Sequence, residues 1–135
     1  MALCYLLDTN ICIYIAKQRP PAVAERFAGL AAGTVGMSLV TFGELRYGAE
    51  KSVRREETLA ALERLAGLIP VIEPDAAVGE AYGALRAQLE RAGTPIGNND
   101  LWIAAHALGL GVTLVSNNLR EFERVPNLIL ENWAD

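Results

Sequence analysis

The stretch Leu3-Cys4-Tyr5-Leu6-Leu7-Asp8 decides the fold, because a short, mostly apolar run ends abruptly at a carboxylate. Such a run is typical of a strand buried on both faces, as in a parallel sheet. Asn10–Lys17 follows with helical spacing and places Ile11, Tyr14 and Ile15 on one face. A buried strand followed at once by a helix predicts a βαβ unit.

The same alternation of strand and helix patterns continues along the chain. Further strands are predicted over Val35–Val40, Ile69–Ile72, Val112–Ser116 and, at an edge, Leu128–Leu130. Helices are predicted over Ala22–Ala31, Thr41–Glu50, Glu56–Leu68, Asp75–Ala92 and Asn99–Leu108. This order indicates an α/β protein with a four- to five-stranded, mostly parallel sheet. No repeat or linker interrupts it, so we expect a single domain over residues 1–135.

Composition narrows the functional classes. The 135 residues include 12 Lys and Arg against 16 Asp and Glu, a net charge of −4, which argues against a nucleic-acid binder that relies on a large cationic excess. A hydrophobic fraction of 52% argues against a disordered chain. The longest uncharged stretches, Phe27–Gly43 and Leu101–Leu119, contain glycines or polar residues and do not resemble a membrane span. The apolar N-terminus lacks the basic residues of a signal peptide, so we expect a cytoplasmic protein.

The cysteines and the one histidine are interpreted as structural. Cys4 and Cys12 do not form a metal-binding motif, and we expect buried free thiols, with a disulfide as the alternative. His106 follows Asp100 by six residues, about 240° around a helix, and so faces away from that carboxylate.

Carboxylates lie close to the predicted carboxyl ends of the strands, where open α/β sheets bind ligands. Asp8 ends the first strand, and Asn10 is the predicted cap of the next helix, which leaves Asp8 free for function. Glu44 fits a capping box with Thr41, although a capping Glu can also face a site. Asp100 lies in the first turn of its helix, where the helix dipole also favours an acid. Further polar residues at this edge are Ser116, Asn118 and Glu121.

Converging carboxylates repel one another and raise one another's pKa, so they require a cation. Mg²⁺ prefers oxygen ligands, activates bound water and stabilises in-line displacement at phosphorus. No Cys, Lys or His nucleophile competes for this role. The residues therefore predict metal-dependent phosphodiester hydrolysis, with Mg²⁺ as the ion and Mn²⁺ as its substitute.

Four ordered blocks of sequence resemble the PIN-domain family, specifically the VapC-type toxins of bacterial toxin–antitoxin pairs. The blocks are Leu6–Asn10, Ser38–Gly48, Ile96–Ala107 and Leu114–Phe122, with Glu131–Trp133 at the end. The resemblance implies a three-layer α/β/α fold and a Mg²⁺-dependent endoribonuclease acting on structured RNA such as tRNA. It also implies a homodimer that joins a VapB-type antitoxin in a larger, inhibited complex.

The resemblance also assigns residue roles by position. Asp8, Glu44 and Asp100 correspond to the catalytic, metal-binding acids. Asn118 stands where many relatives carry a further acid, and Glu121 is the nearest carboxylate. The sequence therefore leaves two candidates for the fourth metal ligand. We expect Asp8 and Asp100 to hold Mg²⁺, and Glu44 to position or deprotonate the attacking water or to add a ligand. The supporting polar residues are Ser116, Asn118 and Asn10.

Residues 46–55 provide a local charge of +3 for RNA contact, with a solvated helix and loop as the alternative. The cations of this segment are Arg46, Lys51, Arg54 and Arg55. Tyr47, Trp102 and Trp133 are candidates for stacking on bases, but core packing is the favoured interpretation of all three.

Two other classes of α/β protein fit the sequence less well. A haloacid-dehalogenase-like phosphatase requires an Asp at position 10, where Asn10 stands, and a receiver domain requires an early acidic pair and a late Lys. The alternative outside catalysis is a PIN-like module that only binds a protein or RNA partner, which Asn118 keeps open.

Overall fold

The computed structural model describes residues 2–134, and within them five strands form one sheet. The strands are β1 (Tyr5–Leu7), β2 (Val35–Ser38), β3 (Val71–Ile72), β4 (Thr113–Val115) and β5 (Leu130–Glu131). Their spatial order is β3-β2-β1-β4-β5, and every neighbouring pair is parallel. The predicted parallel sheet is confirmed, although its strands are shorter than predicted: β2 ends at Ser38 instead of Val40, and β5 lies at Leu130–Glu131 instead of Leu128–Leu130.

Helices cover both faces of the sheet, as the alternation of patterns predicts. They are α1 (Thr9–Lys17), α2 (Pro21–Ala28), α3 (Leu39–Glu50), α4 (Arg55–Leu68), α5 (Ala76–Arg91), α6 (Asn98–Leu110) and the short, unpredicted α7 (Leu119–Phe122). Leu6 and Leu7 are both fully buried on opposite faces of β1. Leu7 packs into a core formed with α1, α2 and α4, whereas Leu6 packs into a core formed with α5, α6 and α7. The central strand therefore joins two hydrophobic cores in a three-layer arrangement.

The helices α1 and α3 begin closer to the ends of their preceding strands than predicted. Asp8, not Asn10, caps α1: its Oδ1 accepts a hydrogen bond from the Ile11 amide at 3.0 Å. Ser38 caps α3, and its Oγ accepts from the Thr41 amide at 2.9 Å. The predicted Asn10 cap and the predicted capping box of Thr41 with Glu44 are therefore wrong. In both cases the residue at the strand end begins the helix directly.

Both cysteines are free, as predicted, but Cys4 is exposed because it precedes β1, whereas Cys12 is buried in α1. Burial raises the pKa of the Cys12 thiol and keeps it protonated. His106 is buried on α6, and burial lowers its pKa. Within residues 2–134, no helix is both long and apolar enough to cross a membrane.

Candidate active site

Neighbouring strands β1 and β4 bring Asp8 and Ser116 together at the carboxyl edge of the sheet. Leu7 lies opposite Val115 in the parallel register, so the residues that follow them are adjacent. Asp8 is only 5% exposed, and its Oδ2 accepts a hydrogen bond from the Ser116 hydroxyl at 2.5 Å. Its other oxygen accepts the capping bond from Ile11. Each carboxylate oxygen retains a further lone pair for a ligand.

The hydrogen bonds that Asp8 accepts do not fully compensate the burial of its negative charge. Burial raises the pKa of Asp8, the hydrogen bonds from Ser116 and Ile11 lower it, and the charge of Glu44 raises it again, with a net rise. A buried carboxylate with a raised pKa gains free energy when a cation approaches.

Glu44 extends from α3 towards α1 and α6 instead of back to the start of its own helix. Its Oε1 accepts a hydrogen bond from the Thr9 hydroxyl at 2.5 Å. Its Oε2 accepts from the Asn99 amide group at 3.3 Å. These two contacts, with partners distant in sequence, favour a site-facing role for Glu44 over a capping role.

Asp100 and Asn118 form the other side of the site. Asp100 is partly buried in the first turn of α6, and its Oδ2 accepts a hydrogen bond from the Asn118 side-chain amide at 3.3 Å. Burial, together with the charges of Glu121, Asp8 and Glu44, raises the pKa of Asp100 to about 6. The four carboxylates therefore act on one another electrostatically.

Glu121 approaches this cluster from α7. Its Oε2 is buried and has no hydrogen-bond partner within residues 2–134. Asn118 has its side chain committed as a donor to Asp100, and its backbone amide donates to the Ser116 hydroxyl at 2.9 Å. Glu121 thus offers an unpaired oxygen, whereas Asn118 orients its neighbours.

We call Asp8, Glu44, Asp100 and Glu121 the acidic rim. As the side chains stand, no three Asp, Glu, His or Cys groups among residues 2–134 enclose a metal position. The chemistry of the donors nevertheless fits a hard divalent cation, because all four are carboxylates and one carries an orphaned buried oxygen. Binding of such a cation would offset both the burial and the neighbouring carboxylate charges that raise the pKa of Asp100.

Two residues of this site were not predicted from the sequence. They are Thr9 and Asn99, which donate hydrogen bonds to Glu44. Each is adjacent in sequence to an acid of the rim, and this adjacency is the signal that could have identified them. By contrast, Asn10 lies exposed on α1 and makes no side-chain hydrogen bond within the described part of the chain.

The predicted basic segment, residues 46–55, is largely neutralised by acids of the same chain. Arg46 and Arg55 both contact Glu50, at 2.7 Å in each case. Arg54 lies 3.6 Å from Glu57. These three arginines are not among the residues that line the cleft beside Glu44.

Lys51 differs from the arginines. Its ammonium group lies over the ring of Tyr47, 4.7 Å from the centroid, and both residues line an open cleft together with Glu44 and Asn99. Tyr47 is 65% exposed, so its predicted core packing is wrong. Trp133 is buried as predicted, and Trp102 is half-buried and stacked on Tyr82 at 3.7 Å.

Comparison with known proteins places this geometry in a family. The family model described as "PIN domain" matches residues 5–128. The chain is 43% identical over 130 residues to Ribonuclease VapC2 of Rickettsia felis, covering 96% of this chain and 97% of that protein. It is 47% identical over 130 residues to the tRNA(fMet)-specific endonuclease VapC of Shigella flexneri, covering 96% and 98%.

Solved structures agree. DNA-bound VapBC from Salmonella typhimurium contains a chain with a TM-score of 0.91 and 43% identity, covering 97% of this chain and 98% of that one. VapBC-1 from nontypeable Haemophilus influenzae gives a TM-score of 0.90 at 40% identity, with full coverage of both chains. The chain therefore belongs to the PIN-domain family, and within that family to the VapC group.

Proposed function

We propose that the chain is a metal-dependent endoribonuclease that cleaves tRNA and acts as the toxin of a VapBC pair. One observation carries this proposal: within residues 2–134, every hydrogen-bond donor to Asp8, Glu44 and Asp100 is an uncharged group. A cluster of carboxylates without a cationic partner among the described residues suits a divalent ion and a phosphate substrate. The tRNA substrate is supported by the Shigella flexneri relative, a tRNA(fMet)-specific endonuclease.

Asp8, Asp100 and Glu121 would hold Mg²⁺, or Mn²⁺ in its place, with Glu44 nearby. When bound, the ion would lower the pKa of water and stabilise charge at the phosphorus. Glu121 is our choice for the fourth acid, because its Oε2 is unpaired whereas the side chain of Asn118 donates to Asp100.

The other residues of the site orient these acids. The Ser116 hydroxyl and the Ile11 amide donate to Asp8, which favours its ionised form. Thr9 and Asn99 each donate to one oxygen of Glu44, which fixes the carboxylate as an acceptor. In this position Glu44 takes the proton of the attacking water as a general base.

The proposal extends to partners. The similar chain from Haemophilus influenzae belongs to a VapBC assembly, and we propose a VapB-type antitoxin and a homodimer for this chain. A mostly apolar groove of about 170 Å³ between α1, α3 and α4, lined in part by Ile13, Leu45 and Leu62, would suit an amphipathic segment of the antitoxin. A tRNA substrate implies that the toxin acts in the cytoplasm.

Incubation of the purified protein with total tRNA tests the activity. We expect discrete fragments with Mg²⁺ or Mn²⁺ and none with EDTA. Asp8→Asn should lower cleavage at least about 100-fold, because the amide preserves the cap but not the charge. Glu63→Gln, a matched change on the exposed surface of α4, should leave cleavage unchanged. Cleavage in EDTA, or full activity of Asp8→Asn, would contradict the proposal, and inactivity with every divalent ion would favour the binding module.

A further inference from the structure

A cleft beside Glu44 carries an aromatic ring and a cation that the proposed chemistry does not use. The cleft has a volume of about 660 Å³ and is lined by one face of α3 with Asn99 of α6. Its residues on α3 are Val40, Gly43, Glu44, Tyr47 and Gly48, and Lys51, the C-cap residue directly after α3, continues the same face. Their spacing of three and four residues aligns them along the helix, so we call this surface the α3 cleft.

Tyr47 and Lys51 are the unusual members of the α3 cleft. The Tyr47 side chain is 65% exposed, although an aromatic ring of this size gains free energy when it is covered. Lys51 makes a cation–π contact with this ring and has no acidic partner within residues 2–134. Lys51 covers one face of the ring only, so the exposed remainder of Tyr47 is available for stacking and the ammonium group is available for an anion.

Two glycines keep the α3 cleft open. Gly43 and Gly48 lie inside α3, where glycine is unfavourable for the helix. A Cβ atom at either position would meet nothing within 4 Å, so packing inside the protein does not require glycine there. Both residues line the cleft, and their lack of side chains leaves the helix backbone accessible beside the Tyr47 ring.

We propose that the α3 cleft is a subsite for single-stranded RNA, in which the base next to the scissile phosphate stacks on Tyr47 and an adjacent phosphate pairs with Lys51. The inference rests on the proposed function, which puts the scissile phosphate beside Glu44. A helix rises 1.5 Å per residue, so Tyr47 lies about 4.5 Å and Lys51 about 10 Å along α3 from Glu44. These offsets suit a neighbouring nucleotide, and stacking aromatics with nearby cations are the usual means of binding single strands.

Binding measurements test the subsite without cleavage. The Asp8→Asn protein is titrated in Mg²⁺ against a fluorescent single-stranded RNA, alone and combined with Tyr47→Ala, Tyr47→Phe or Lys51→Ala. We expect Tyr47→Ala to weaken binding about 5- to 100-fold and Tyr47→Phe, which retains the ring, less than about twofold. Lys51→Ala should lower the slope of log affinity against log salt by about one. The exposed controls Leu68→Ala and Arg91→Ala should bind as the parent does.

The outcomes separate this inference from the proposed function. Equal RNA affinities for Tyr47→Ala and Tyr47→Phe would overturn the subsite. A loss of self-association in Tyr47→Ala with unchanged RNA affinity would also overturn it and would assign the cleft to a second copy of the chain. Cleavage by the wild-type protein with a KM that Tyr47→Ala does not change would overturn the subsite alone. If RNA binding depends on Tyr47 but the wild-type protein cleaves no RNA with any divalent ion, the subsite is supported and the proposed nuclease activity is overturned.

Discussion

The acidic rim and the basic segment of residues 46–55 carry opposite charges and are stabilised in opposite ways. In the rim, the donors to Asp8, Glu44 and Asp100 are hydroxyl and amide groups. In the segment, Glu50 accepts hydrogen bonds from both Arg46 and Arg55, and these contacts lower its pKa. The exposed arginines of the segment are therefore paired with acids, whereas the buried and partly buried carboxylates of the rim have no cationic partner within residues 2–134.

This difference separates structural charge from functional charge. Burial of a carboxylate without a cationic partner costs free energy, and the capping role of Asp8 does not require the charge, because an Asn side chain caps a helix equally well. The helix α3 shows both cases: Glu44 belongs to the rim, whereas Glu50, six residues later, is paired with arginines. Substitutions in the rim should therefore alter activity and metal-free stability, whereas substitutions of the paired charges in the segment, Arg46, Glu50, Arg54 and Arg55, should alter neither strongly.

The largest effect should come from matched substitutions on α3. Glu44→Gln removes the proposed general base and should lower kcat about 10²- to 10⁴-fold. Glu50→Gln makes the same chemical change away from the rim and should alter kcat less than about threefold. Single-turnover cleavage of tRNA at saturating Mg²⁺ measures the rate constant of the cleavage step in both variants. Equal losses in the two variants would remove the distinction between rim and segment.

A second comparison concerns stability and pH in the absence of metal. The pKa of Asp100 rises from 3.8 to about 6 in the folded protein, so folding disfavours its charged form. The resulting cost is fully present above pH 6 and disappears as the pH falls below 3.8. A rise of this size corresponds to about 3 kcal/mol, which partial exposure to solvent reduces to about 1–2 kcal/mol. Asp100→Asn should therefore be more stable than the wild type at pH 7.5 and equally stable near pH 3.5.

Denaturation by urea in EDTA measures this effect, and Mg²⁺ provides its control. Added Mg²⁺ should stabilise the wild type at pH 7.5 and reduce the advantage of Asp100→Asn, because the ion compensates the repelling carboxylates. Glu50→Gln should show the opposite sign, since the pKa of Glu50 is lowered and its pairing stabilises the fold above pH 4.5. An Asp100→Asn protein that is less stable than the wild type at pH 7.5 would contradict the cost that burial and the neighbouring carboxylates impose on the charged form of Asp100.

The parallel sheet and the acids of the rim could be predicted from the sequence because both depend on local order. An apolar run followed by an acid places Asp8 at a strand end, and parallel strands bring their carboxyl ends to one edge. The contacts of Glu44 could not be predicted, because Thr9 and Asn99 lie 35 and 55 residues away and override a local capping pattern. The exposure of Tyr47 likewise depends on how α3 packs, which its own sequence does not determine.

The dual role of Asp8 predicts a smaller effect. Asp8→Asn and Asp8→Ala both remove the buried charge, but only the Asn side chain keeps an oxygen that accepts from the Ile11 amide. The Ala variant should therefore be about 1 kcal/mol less stable than the Asn variant, the usual cost of a lost N-cap. Thermal unfolding in EDTA measures the difference. Equal stability would show that Asp8 serves the site alone and does not stabilise α1.

The smallest expected effect lies in the basic segment. Arg54 and Glu57 are 3.6 Å apart, and their side chains are 76% and 74% exposed. Water and salt screen such a pair, so Arg54→Ala should change the free energy of unfolding by less than about 0.5 kcal/mol. Unfolding by urea at low salt and at 1 M salt tests this, since the shorter screening length should remove even that difference. A loss above about 1 kcal/mol that persists at high salt would mean that this pair is a structural interaction, and the charges of the segment could then no longer be treated as independent of the fold.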